Sequence, residues 1–152
     1  MTKAIFAVVA LLLLAVSAWS EETAKEQKLF LDAVQRVESG GRDNPPDGDD
    51  GKAIGPDQIW KPYFTDAIAS DRSLRDLKYE DCRDPAKARL VVIAYMKRYA
   101  PAAWKNGDWK TCARIHNGGP KGAQKKTTMA YWQKVQNAMI KIAERKEEAA
   151  RP

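Results

Sequence analysis

Among the many ionisable side chains in this sequence of 152 residues, three places have a setting that suits acid–base or nucleophilic chemistry: Glu38, the aspartates between Asp43 and Asp50, and His116, the only histidine. Glu38 stands in Val37-Glu38-Ser39-Gly40-Gly41, where a helical pattern stops. A carboxyl at a helix C-terminus feels the negative end of the dipole and keeps its proton more readily, and apolar surroundings add to this. Such a group suits general acid catalysis near neutral pH, and the glycines after it let a substrate approach the backbone. The same pattern also fits an exposed helix-end carboxylate followed by an ordinary glycine stop.

The second feature is Asp43-Asn44-Pro45-Pro46-Asp47-Gly48-Asp49-Asp50-Gly51. A carboxylate from this stretch, set opposite Glu38, would complete the pair used in glycoside hydrolysis, with Asp49 and Asp50 as candidates. A calcium loop is the rival reading. Counting Asp47 as position 1 puts Gln58 at position 12, where an EF-hand needs a bidentate Glu. A solvated turn, rich in Asp because Asp suits turns, explains the composition equally well. His116 precedes Asn117-Gly118-Gly119-Pro120 and could cap a helix, bind a hydroxyl or act as a base. Tyr95 and Tyr99 are four residues apart and share a helix face, where they line a groove or pack in the core.

These groups need elements to hold them. Leu29, Phe30, Ala33, Val34 and Val37 recur at helical spacing, which predicts a helix over 22–39 ended by Gly40-Gly41. From Gly41 to Gly51 the chain is a polar turn or short hairpin region, and 53–60 reads as a short strand or turn leading into the core. A short helix is expected over 62–70, and a longer one from Asp84-Pro85 to about Tyr99, with the proline at its first position and Pro101 ending it. Asn106-Gly107 is a turn, and Asp108 can cap a helix running through Ile115. A last helix starts near Thr127 with Met129, Trp132, Val135, Met139 and Ile142 as its buried stripe, and 144–152 is a charged tail.

Composition narrows the class. With 30% charged and 44% hydrophobic residues the chain is neither a disordered acidic polymer nor a polytopic membrane protein, and its length suits one domain. Lys3, the apolar run Ala4–Val16 and Ala18-Trp19-Ser20 form a signal-peptide pattern over 1–20, the run being short for a bilayer span. The expected mature chain, from Glu21, has 25 basic and 20 acidic residues, a net +5, with no stable membrane insertion after cleavage. Export permits a disulfide, and Cys82 and Cys112 are the only two cysteines, so a bridge between them is expected; two buried thiols are the alternative. The positive charge is scattered, which speaks against nucleic-acid binding but suits a polyanionic cell wall. No metal or cofactor is expected.

One long string carries more. Ala113-Arg114-Ile115-His116-Asn117-Gly118-Gly119-Pro120-Lys121-Gly122, with Thr128 and Tyr131-Trp132-Gln133-Lys134-Val135, closely resembles the C-terminal signature of invertebrate-type lysozymes, the destabilase family. Val37-Glu38-Ser39-Gly40-Gly41 resembles that family's catalytic-glutamate motif, Gly55-Pro56-Asp57-Gln58-Ile59 with Pro62-Tyr63 its glycine, aromatic, Gln-Ile segment, and Tyr95-Met96-Lys97-Arg98-Tyr99 the following helix. The matches occur in family order from about Phe30 to Val135.

The resemblance implies an α+β lysozyme-like fold over 21–143, predominantly helical with a small β-hairpin region beside the cleft. It also implies hydrolysis of the β-1,4 bond between N-acetylmuramic acid and N-acetylglucosamine in peptidoglycan, chitooligosaccharides being the other substrate candidates. By motif position Glu38 is the acid. Asp49-Asp50-Gly51 fits the family's Asp-x-Gly, which selects Asp49 as partner with Asp50 as fallback. Ser39, Gln58, Tyr95, Tyr99, His116, Asn117 and Gly118 become the substrate-binding candidates. A monomer, secreted to the periplasm or outside the cell, is expected.

Three departures qualify the match. The family's animal members are cysteine-rich; this chain is not. The acidic loop differs in length and carries Pro45-Pro46. Asp57 replaces an aromatic or apolar residue, where it either repels charge on Glu38 or points into solvent. A lytic transglycosylase using Glu38 alone, an isopeptidase built on Ser39 and His116, and a glycan-binding protein without turnover are the competing readings.

Overall fold

The computed structural model describes the backbone of residues 2–151 and side-chain surroundings from Glu21 to Arg151, so the expected signal peptide over 1–20 lies outside the residues whose side chains are described. Helix α1 (Thr2–Ser39) sends Phe30, Ala33 and Val34, spaced by three and four, fully into the core. Gly40 and Gly41 then take φ of +70° and +80°, a left-handed conformation that glycine adopts without a Cβ penalty, and the helix ends directly after Glu38 and Ser39.

The acidic segment folds back over the domain. Arg83 grips Asp47 with both terminal guanidinium nitrogens, Gly48 bridges to Ala53, and Asp49–Gly51 forms one 3-10 turn. The hairpin follows it: β1 (Ala53–Ile54) pairs antiparallel with β2 (Ile59–Trp60), Ala53 opposite Trp60 and Ile54 opposite Ile59. The Tyr79 hydroxyl is within bonding distance of the Lys52 and Ile59 carbonyls and ties the hairpin to the 3-10 turn Tyr79–Arg83. Gly55, with φ +73°, lies so close to this turn that a Cβ there would overlap the Cys82 carbonyl.

Helix α2 (Lys61–Ser70) begins with Pro62 in its first turn, and α3 (Pro85–Tyr99) begins as expected, with the Asp84 side chain accepting from the Lys87 N–H. Val91, Val92, Ala94 and Met96 of α3 are all buried, which makes it the central helix. Pro101 does end α3, but it also opens a further helix, α4 (Pro101–Asn106), because proline's missing N–H and fixed φ suit a helix's first position. Asp108 caps α5 (Trp109–Gly118) by accepting from the Thr111 N–H, and α5 runs three residues past the expected Ile115. Phe30 stacks on Trp109 at 5.2 Å, with Trp104 edge-on to both rings.

The chain closes with α6 (Met129–Ala149), packed along α1 and α5. Of its expected stripe, Val135 is fully buried and Trp132, Met139 and Ile142 pack against the core, while Ala138, also buried, and Tyr131 widen the same face. The tail over 144–149 continues as exposed helix. Among the described residues no helix is long and apolar enough to cross a membrane.

The expected disulfide is absent. Cys82 in the 3-10 turn and Cys112 in α5 are free thiols, both fully buried, each filling the core as a small apolar side chain. Burial pushes both up to about 12, so they are neutral in the folded protein.

Candidate active site

Two grooves of similar size cut the surface. One, about 600 Å³, runs between α1, α3 and α6 and contains the ion pair of Arg89 with Asp32. The other, about 590 Å³, lies between the end of α1, the hairpin, α2 and the end of α5, and holds Glu38, Asp49, Gln58, Trp60, Tyr63, Tyr95, His116 and Asn117. Chemistry separates them, because only the second combines two carboxylates with the histidine.

Glu38 is partly enclosed, its side chain 20% exposed. Tyr131, arriving from α6, donates its hydroxyl to Glu38 Oε1 at 2.6 Å. His116 Nε2 faces the same oxygen at 3.5 Å, and His116 Nδ1 meets the Tyr63 hydroxyl at 3.0 Å. Both phenols are held well above their usual range, chiefly by burial, so they stay protonated donors. When Tyr63 is the donor to Nδ1, the proton of a neutral imidazole is on Nε2, the nitrogen that faces Glu38. Both contacts therefore fall on Oε1. A protonated Glu38 can carry its hydrogen on Oε2, free to meet a substrate oxygen.

Asp49 reaches the cleft from an unusual backbone. Asp49 and Asp50 both have positive φ, 50° and 56°, a conformation aspartate tolerates better than most residues but at a cost of about 1–3 kcal/mol each. The Trp60 indole N–H donates to Asp49 Oδ2 at 3.1 Å and fixes the carboxylate at the mouth of the hairpin. Asp50 does not line the cleft.

Aromatic rings form the walls. Tyr63 stacks on Tyr95 with centroids 3.5 Å apart, and Tyr95 packs in turn against Tyr99 at 4.8 Å. Tyr95 therefore lines the cleft while Tyr99 lies one ring behind it. Gln58 lines it too, and its amide donates to the Gly55 carbonyl at 2.9 Å, bracing the hairpin turn. Asn117 and Gly119 border the cleft and Gly118 does not. Ser39 is also outside it: the side chain is buried and its hydroxyl lies on the carbonyls of Gln35 and Arg42, which closes the end of α1. Nothing in this arrangement joins Ser39 to His116.

Sequence reasoning did not place Tyr131, Tyr63 or Trp60 in the site. Tyr131 and Tyr63 both lie inside strings that resembled the family, and that was the available signal. Asp57 is 1% exposed rather than solvent-facing, and its carboxyl is pushed up to about 6, mainly by burial.

A mostly helical domain with one short hairpin, and a cleft that gathers a glutamate, an aspartate and stacking aromatics, defines the lysozyme-like class. The comparisons agree with it. The Destabilase family model matches residues 29–138, and the chain belongs to that family. It is 38% identical over 81 residues to a lysozyme of Ostrea edulis, covering 53% of this chain and 56% of that one, and 34% identical over 108 residues to a lysozyme of Meretrix lusoria, covering 70% and 84%. The chain thus spans little more than half the length of the Ostrea edulis relative. Among solved structures it is similar, with TM-score 0.57 and 31% identity over 72% of this chain and 87% of the other, to a chain in the crystal structure of Aeromonas hydrophila PliI in complex with Meretrix lusoria lysozyme.

Proposed function

We propose that the protein is an exported, monomeric lysozyme that hydrolyses the β-1,4 bond between N-acetylmuramic acid and N-acetylglucosamine in peptidoglycan. The observation that carries this reading is the pair Glu38 and Asp49 in one aromatic-walled cleft, with Glu38 bonded through one oxygen only. Trp60, Tyr63 and Tyr95 offer apolar faces to sugar rings, and Gln58, Asn117 and His116 offer polar edges.

In this mechanism Glu38 gives its proton to the glycosidic oxygen as the bond from that oxygen to C1 breaks. Asp49 attacks C1 or stabilises the oxocarbenium-like state, and water, deprotonated by Glu38, completes hydrolysis. Tyr131 and His116 hold the glutamate in place throughout.

The test is digestion of purified peptidoglycan by residues 21–152, comparing wild type with Glu38→Gln and Asp49→Asn, with products identified by mass spectrometry. Reducing muramic acid ends that disappear in both variants are expected. Anhydro ends that survive Asp49→Asn would make it a lytic transglycosylase, and wall binding without any product would make it a binding protein.

A further inference from the structure

The groove between α1, α3 and α6 takes no part in the chemistry of the cleft, yet it matches the cleft in size at about 600 Å³. Five cationic side chains border it, Arg36, Arg89, Lys134, Lys141 and Arg145, against two carboxylates, Asp32 and Asp43. The fold thus brings together basic residues that are far apart in the sequence.

Both carboxylates are already engaged. Asp32 pairs with Arg89 at 2.7 Å, Lys28 at 2.9 Å and Lys146 at 3.5 Å, and Asp43 accepts from the buried Gln35 amide at 3.0 Å. The Gln35 side-chain oxygen accepts in turn from Arg89 at 2.8 Å, so a chain of bonds from Asp43 through Gln35 and Arg89 to Asp32 braces this side of the groove. Arg89 makes both contacts through Nη2, which leaves its other N–H donors for a ligand. On α6, Lys134, Lys141 and Arg145 are exposed and form no hydrogen bond or ion pair among the described residues. Their charge is left uncompensated.

The spacing of these groups selects the shape of a ligand. Lys134, Ala138, Lys141, Ile142 and Arg145 recur every three or four residues, which sets the cations along one face of α6 over about 16 Å beside an apolar strip. A row of that length suits a linear polyanion better than one small anion. Polymers of bases or sugar rings are held on aromatic faces such as the cleft offers, and no residue bordering this groove is aromatic. A peptide strand would bring backbone N–H and C=O groups that need partners, and with Gln35 already bonded only the Asn137 amide is left to meet them. Acyclic polyol units joined by phosphodiesters make neither demand, and each phosphodiester offers two oxygens to Lys or Arg.

We propose that this groove is a second binding site, for a linear polymer of polyol units joined by phosphodiesters, and that it tethers the protein to an anionic wall while the cleft works on glycan. The tethering rests on the hydrolytic reading of the cleft, whereas the binding does not. The two sites share no bordering residue, so filling one leaves the other open.

The test is calorimetric titration of the protein with polyglycerol phosphate at several salt concentrations. Binding that weakens as salt rises is expected, unchanged in Glu38→Gln and weakened roughly tenfold or more, with a flatter salt dependence, when Lys134→Ala, Lys141→Ala and Arg145→Ala are combined. All three side chains are exposed, so the combined variant should keep the wild-type thermal midpoint. No binding, binding that the combined variant retains, or equal or tighter binding of polyglutamate or a single-stranded oligonucleotide overturns the proposal. The kinetic arm compares walls that carry the polymer with walls stripped of it. The combined variant is expected to lose turnover on the first and to match wild type on the second, and equal loss on both overturns the tethering. A wild type that binds polyglycerol phosphate through these residues but cuts neither wall would sink the hydrolase reading and leave the groove assigned.

Discussion

The Tyr131 hydroxyl lies 2.6 Å from Glu38 Oε1 although 93 residues separate the two in the chain. The bond joins α6 to the last turn of α1 at the point where the cleft needs a fixed carboxyl. It holds one oxygen and leaves Oε2 outside both contacts.

Tyr131→Phe keeps the ring and removes this donor. Glu38 is then held only by the longer contact to His116, so kcat for peptidoglycan should fall about tenfold, while stability drops by only ~1 kcal/mol, the usual worth of one hydrogen bond. Steady-state kinetics together with urea denaturation separate the two effects.

Asp57 gives a stability profile of defined sign. Its folded carboxyl sits at about 6 against an ordinary 3.8, so below 3.8 both states are protonated and the group is neutral to folding. Between 3.8 and 6 only the unfolded chain ionises, and above 6 the full penalty, about 3 kcal/mol at most, is present. Asp57→Asn should therefore equal wild type near pH 4 in denaturant midpoint and exceed it at pH 7.

Gly55→Ala should destabilise the fold by about 2–4 kcal/mol, because the new methyl group meets backbone atoms of Cys82 that cannot rotate away and the φ of +73° is already unfavourable. Gly51→Ala is the control. Its φ is +83° but nothing lies within 4 Å of the added carbon, so it should cost only about 1 kcal/mol. Thermal or urea midpoints of the two variants test the difference.

Cys82 and Cys112 should resist alkylation in the native protein, since both are buried and remain thiols until far above physiological pH. Mass spectrometry after iodoacetamide should find no added groups without denaturant and two with it. A reductant should leave the thermal midpoint unchanged.

Local signals were enough for much of the helical frame. Asp84-Pro85 and Asp108 cap the helices they were expected to cap, and the glycine pair stops α1 beside Glu38. The stripe of α6 expected through Trp132, Val135, Met139 and Ile142 does pack on the core, but the buried face is wider and takes in Ala138 and Tyr131 as well. The narrower stripe left out the residue that holds Glu38. Tyr99, Gly118 and Ser39 were placed in the site by their neighbours in sequence, yet one residue's difference around a helix or turn moves a side chain behind the wall. The disulfide failed for another reason: cysteine count and compartment permit a bridge, but only geometry makes one.

The bond between the two terminal helices also sets a time. Glu38 is synthesised early and Tyr131 late, so a chain emerging from its N-terminus carries the acid without the group that aims it. Until α6 has been released and has docked along α1, the carboxyl lacks its anchor. The carboxyl is therefore anchored only when nearly the whole domain has been made, and a chain cut short before α6 would hold Glu38 without its partner.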